Sequence, residues 1–151
     1  MILTTETLPI DYVEVRVFVH ATEDEDKVQT AIATILPPEL VDEISFKKTK
    51  LSGYHGNIIL LLETRIQRKP LVHAVFLRLT RHLSPSDKED LTDEIEHHLD
   101  KGALYLRLDK QAAYLHHFKI HPSDAIRLKL HFKQKSQKEI IEFCRVAGLL
   151  T

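Results

Sequence analysis

Apolar and polar residues alternate strictly along Asp11–Ala21: Val13, Val15, Val17 and Val19 share one parity, Glu14, Arg16, Phe18 and His20 the other. Period two with β-branched residues predicts a strand with one buried face. The same alternation returns in Ala103–Asp109, where Leu104, Leu106 and Leu108 oppose Tyr105, Arg107 and Asp109. It returns again in Ala125–Phe132, where Ile126, Leu128, Leu130 and Phe132 oppose Arg127, Lys129 and His131. Ile58–Gln67 is nearly continuously apolar through Leu62 and reads as a central strand covered on both faces over part of its length. It follows a basic strand, Ile44–Leu51, through the glycine-containing turn Ser52–Asn57, so the two are expected to form a hairpin. His116–Ile120 reads as a short edge strand.

Helical spacing separates these strands. Val28, Ala31, Ile32 and Ile35 follow a Thr22/Glu25 capping box, and Pro37-Pro38 ends that helix. Val72, Val75, Phe76, Leu79 and Leu83 mark a second helix from about Pro70. Ser84-Pro85 opens a third, with Leu91, Ile95 and Leu99 on its inner stripe and Gly102 as its stop. Lys110–Leu115 is a short helical turn. Ser136 and Glu139 cap a last helix over about 136–147, with Ile140, Phe143, Cys144 and Ala147 inward and Gly148 after it. Strands and helices mix without regular β-α alternation. The pattern therefore predicts a single α+β domain over residues 1–151. It is a two-layer sandwich, with a mostly antiparallel or mixed sheet and helices packed on one face.

If the helices cover the valine and leucine face, parity places Arg16, Phe18, His20, Glu63, Arg65, Tyr105, Arg107, Arg127, Lys129 and His131 on the other. Cations with interleaved aromatics can bind phosphates and stack unpaired bases. Lys47, Lys48 and Lys50, with the loop at His55–Asn57, extend the candidate surface. The alternative is a solvated or dimer-forming face, in which Glu14 and Glu63 simply pair with the arginines and Phe18 and Tyr105 meet a second protein.

Composition changes this picture in one respect. The 151 residues carry a net charge of −1, which alone argues against a polyanionic partner. The charge is segregated, however, into blocks of net −8 (residues 1–43), +7 (44–82), −6 (83–100) and +6 (101–151). Where charge sits in space decides binding. The expectation is a two-sided molecule whose acids turn away from the sheet face.

Other classes find little support. One cysteine, Cys144, excludes an internal disulfide and a four-cysteine zinc site. The ten histidines include the adjacent pairs His97-His98 and His116-His117, without metal-binding spacing, and read as surface residues; no metal or cofactor is expected. No nucleophile elbow, phosphate loop or dinucleotide fingerprint occurs, so the chain is not read as an enzyme. No apolar run spans a bilayer and Met1–Ile10 lacks a signal-peptide pattern, which points to the cytoplasm.

Two segments add a family resemblance. Gly53-Tyr54-His55-Gly56-Asn57 precedes an apolar strand ending in Glu63-Thr64-Arg65-Ile66. Leu104-Tyr105-Leu106-Arg107-Leu108-Asp109 continues into Lys110-Gln111-Ala112-Ala113-Tyr114. With Val19-His20-Ala21-Thr22-Glu23-Asp24, these resemble the signatures of the archaeal RNA-binding-domain proteins, a family described as predicted exosome subunits. The resemblance spans residues 13–132, with Ile58 standing where family members often have proline. It implies a domain like that of a large-subunit ribosomal protein and RNA binding without catalysis, in association with the RNA-processing exosome. It also implies His55, Gly56, Asn57, Arg107, Lys110 and Gln111 as contacts. The runner-up reading is a protein-interaction module or homodimeric assembly subunit that uses the open sheet face.

Overall fold

The computed structural model describes residues 8–38, 45–121 and 123–151. Six strands form one sheet: β1 (Ile10–Val19), β2 (Lys47–Ser52), β3 (Ile58–Ile66), β4 (Leu99–Asp100), β5 (Ala103–Leu108) and β6 (Ile126–Phe132), in the order β2-β3-β1-β6-β5-β4. All pairings among them are antiparallel. The helices are α1 (Glu25–Ile35), α2 (Lys69–His82), α3 (Pro85–Asp93), α4 (Lys110–Tyr114) and α5 (Gln137–Ala147). The expected α+β class is therefore observed.

β1 occupies the middle of the sheet, between β3 and β6. Val13, Val15, Val17 and Val19 are buried under the helical layer, with Val72, Val75, Phe76 and Leu79 of α2 in the same core. The leucines of β5 and the apolar residues of β6 extend that core. α5 closes it from the C-terminal side: Phe143 lies 5.8 Å from Phe132 and 5.5 Å from Phe76 between ring centroids, and Ile140 and Cys144 are buried. Ser136 and Glu139 form the expected reciprocal cap, and Gly148 ends the helix at φ 92°.

Several local expectations give way to tertiary context. α1 starts at Asp24, whose side chain accepts from the Asp26 amide, so the Thr22/Glu25 box is not the cap. Glu23 accepts from the His20 amide and holds the preceding turn closed. Gly102 does not stop α3. That helix ends at Asp93, and a 3-10 turn over Ile95–His98 leads into β4. Lys101 (φ 49°) and Gly102 (φ 81°) then form the two-residue β4–β5 hairpin, which requires positive φ at both positions. β3 is second from the edge rather than central, and Ile58 at its start is 60% exposed. The edge strand expected at His116–Ile120 reduces to one bridge, Leu108 with Ile120. Ile44 and Pro122 lie outside the described residues.

Burial pushes the Cys144 thiol up to about 12, so almost no thiolate exists at pH 8. A disulfide-exchange reagent at that pH should label the native protein only at the rate of unfolding and label it at once in urea; prompt stoichiometric labelling without urea would contradict this packing.

A largely buried ammonium ties the end of β1, the turn before α1 and the turn before β6 together. Lys110, at the start of α4, is only 11% exposed. Its Nζ donates to the Phe18 carbonyl at 2.6 Å, to Glu23 Oε1 at 3.0 Å and lies 3.0 Å from Asp124 Oδ1. Partial burial of the Asp124 carboxyl works to raise its pKa, but bonds from Lys110 and His20 outweigh it and leave the group below its ordinary range. A depressed carboxylate stabilises the fold above its unfolded pKa and loses that contribution as pH falls through the folded value. Lys110→Met should therefore cost about 1–3 kcal/mol at pH 7. The gap in urea midpoint between variant and wild type should narrow at pH 3; a gap that stays constant would remove Asp124 from the tie.

Candidate nucleic-acid interface

Antiparallel register converts strand parity into rows of side chains across the uncovered face. Lys47 of β2 pairs with Glu63 of β3, Glu63 with Arg16 of β1, Arg16 with Arg127 of β6, and Arg127 with Arg107 of β5. One line across five strands thus carries four cations and one acid. Arg16, Arg127 and Arg107 are consecutive in it. Like charges directly opposite one another destabilise a sheet. Glu63 meets this row at one point only, with Oε2 3.2 Å from Arg16 Nε.

A second row lies beside it: Arg65, Glu14, Lys129 and Tyr105. Glu14 Oε1 accepts from Arg65 Nε at 3.0 Å and also from its Nη2. A hydrogen bond with Tyr12 outweighs desolvation and holds the Lys129 ammonium above its ordinary pKa, so this cation keeps its charge. Lys129 Nζ lies 5.6 Å from the Tyr12 ring centroid and 6.0 Å from that of Tyr105. On the other side of the arginine row, the Arg127 guanidinium sits 5.4 Å from the Phe18 ring.

Tyr12 joins this face as well, sharing the parity of Glu14 and Arg16. Its ring stacks on His131 at 4.8 Å and 6° and lies 4.1 Å from the Arg65 guanidinium. The alternation that identified Phe18 extends to position 12 and was the available signal.

Not every expected contact residue joins this face. Of the lysine group, Lys47 does. Lys48 and Lys50 have the opposite parity, and Lys48 Nζ bonds Glu25 of α1 at 3.1 Å. His20 sits at the strand end, 3.1 Å from Asp124. Lys110 is engaged in the tie described above. Gln111 is exposed beside α1, where a hollow is shared with Asp24, Lys27 and Tyr114. His55, Gly56 and Asn57 form the tip of the β2–β3 hairpin; His55 has φ 59° and Gly56 φ 76°, and the Gly53 amide donates to the Asn57 carbonyl at 2.5 Å.

The acids do not all turn away from the face. Asp87, Asp90, Asp93 and Glu94, at α3 and just after it, line a cleft of about 670 Å³ together with Tyr105 and Arg107. His97, His98 and His121 line it too. Negative charge therefore borders the β5 side of the basic rows. The sequence could not place it, because the turn after α3 folds the acidic segment back along the sheet edge.

Among the described residues, one group, His20, Glu23 and Asp124, brings its ligand atoms within 4.8 Å of one another. Lys110 Nζ lies 3.0 Å from both Glu23 and Asp124, so an ammonium already supplies the positive charge there. Among the described residues no helix is long and apolar enough to cross a membrane.

A family model described as RNA binding matches residues 12–132. The chain is 32% identical over 130 residues to "RNA-binding protein PAB1135" of Pyrococcus abyssi, covering 84% of each chain. Among solved structures it resembles protein AF2318 of A. fulgidus, at 29% identity and a TM-score of 0.77, over 91% of this chain and 99% of that one. It also resembles a DUF54 protein of Methanothermobacter thermautotrophicus, at 28% identity and a TM-score of 0.76, over 92% and 98%. With the sheet order, the signatures and these relatives in agreement, the chain belongs to the RNA-binding family also known as DUF54, with homologues in archaea.

Proposed function

We propose that the protein binds single-stranded RNA on the open face of its sheet and performs no reaction of its own. The observation that carries this reading is the run of Arg16, Arg127 and Arg107 on adjacent strands. Three arginines paired on adjacent strands concentrate like charge, and a phosphate backbone laid across the strands relieves that repulsion. Phe18 lies on one side of the run and Tyr105, 39% exposed, on the other. Aromatic rings flanking a phosphate track suit unpaired bases, which are free to stack, better than a duplex. Arg65, Lys129 and Lys47 add charge, and the His55–Asn57 hairpin tip extends the surface beyond β3.

Lys110 acts in this scheme as a structural tie and Gln111 lies off the track. The family resemblance further suggests association with the RNA-processing exosome, which co-purification of the tagged protein with exosome subunits would test.

For single strands, log affinity falls with log salt at about −0.7 per phosphate contact. Three arginine contacts predict a slope near −2. Arg107→Gln with Arg127→Gln should reduce its magnitude by about 1.4 and weaken binding at low salt at least tenfold, as read by fluorescence anisotropy. A slope near zero in the wild-type protein, or an unchanged slope in the double variant, would remove this face from RNA binding.

A further inference from the structure

We infer that the hollow between β2, β3 and β1 reads uracil, with Glu63 as the specificity-determining residue. This deepens the RNA-binding reading and rests on it. The hollow measures about 300 Å³ and is lined by Glu14, Arg16, Lys47, Glu63, Thr64 and Arg65. It lies within the basic face at the end of the arginine run. A backbone held by Arg16, Arg127 and Arg107 would bring a base to it.

The order of groups in the hollow is specific. Register places Lys47, Glu63 and Arg16 side by side on three adjacent strands. An ammonium and a guanidinium can only donate hydrogen bonds, and an ionised carboxylate can only accept them. The row thus presents donor, acceptor, donor. Glu63 Oε2 is engaged by Arg16 at 3.2 Å, while Oε1 accepts no hydrogen bond among the described residues. The side chains of Glu63 and Arg16 are 34% and 46% exposed, within reach of a ligand. Lys47 is exposed and makes no ion pair among the described residues.

The pairing edge of uracil is the complement: acceptor O4, donor N3–H, acceptor O2. Its N3–H would donate to Glu63 Oε1, and the two carbonyl oxygens would accept from the flanking cations. Cytosine turns the lone pair of N3 toward the carboxylate. Adenine does the same with N1. Guanine satisfies the carboxylate but sets its second donor against a cation. An exposed ion pair contributes only about 0–1 kcal/mol to stability, and a carboxylate on a phosphate-binding face repels the ligand. An acceptor at this position is therefore a poor choice for a purely electrostatic surface and a useful one for reading a base edge.

Anisotropy titrations of the full chain with labelled oligouridine, oligocytidine and oligo-N3-methyluridine of equal length test the inference. Oligouridine should bind about tenfold more tightly than either of the others. Glu63→Gln supplies an amide that donates as well as accepts, so the preference over oligocytidine should shrink to within twofold. Equal binding of oligouridine and oligocytidine by the wild-type protein would overturn uracil reading while leaving RNA binding intact. A uniform gain for all three oligomers in Glu63→Gln would overturn it in favour of simple charge repulsion. Binding of none of them would overturn the RNA-binding reading and this inference with it.

Discussion

The period-two alternation of β1 is the constraint on which the molecule depends. Four valines on one face are buried at the centre of the sheet, so the strand cannot slip by one residue without carrying Glu14 and Arg16 into the core. Removing a paired charge from water costs several kcal/mol, far more than any exposed contact returns. The alternation thus sets the pairing of β1 with both β3 and β6. Through those strands it sets the positions of Lys47 and Arg107 at the far ends of the row. Burial on one side of the sheet is what aligns the charges on the other.

That alignment has a cost and a use. Neighbouring arginines on β1, β6 and β5 disfavour the isolated protein, and a core of this size can carry the penalty. The glutamates at positions 14 and 63 pair with Arg65 and Arg16 and relieve the charge beside β3. On the β5 side the acids after Ser84 line one cleft with Arg107. The face is accordingly asymmetric, with cations across its strands, Glu14 and Glu63 set among them, and a cluster of carboxylates at the β5 margin. A polyanion crossing the strands would meet attraction over the centre and repulsion at the α3 edge, which limits the length of the track.

The sheet face was legible because strand parity is a local property. Arg16, Arg65, Arg107, Arg127 and Lys129 follow from alternation within single strands. Their grouping into rows needed the register, which depends on strand order and was not legible. Lys48 and Lys50 were misplaced for a related reason: β2 is almost wholly polar, so its alternation carries no burial signal, and only its pairing with β3 shows which lysine faces out. Lys110 belonged to a family signature, but its role as a tie rests on Glu23 and Asp124, distant in sequence. Gly102 reads as a helix stop in the sequence because a hairpin turn and a helix end both call for glycine at positive φ. The charge blocks are legible along the chain but their arrangement in space is not, since α3 returns to the sheet edge.

Nuclear magnetic resonance of the arginine Nε–H and backbone amide groups, recorded as a single-stranded oligonucleotide is added, tests the central claim most directly. The account predicts shifts concentrated at Arg16, Phe18, Tyr105, Arg107, Arg127 and Lys129, with α1, α2 and α5 unaffected. Shifts concentrated on the helical layer, with the sheet face silent, would contradict it.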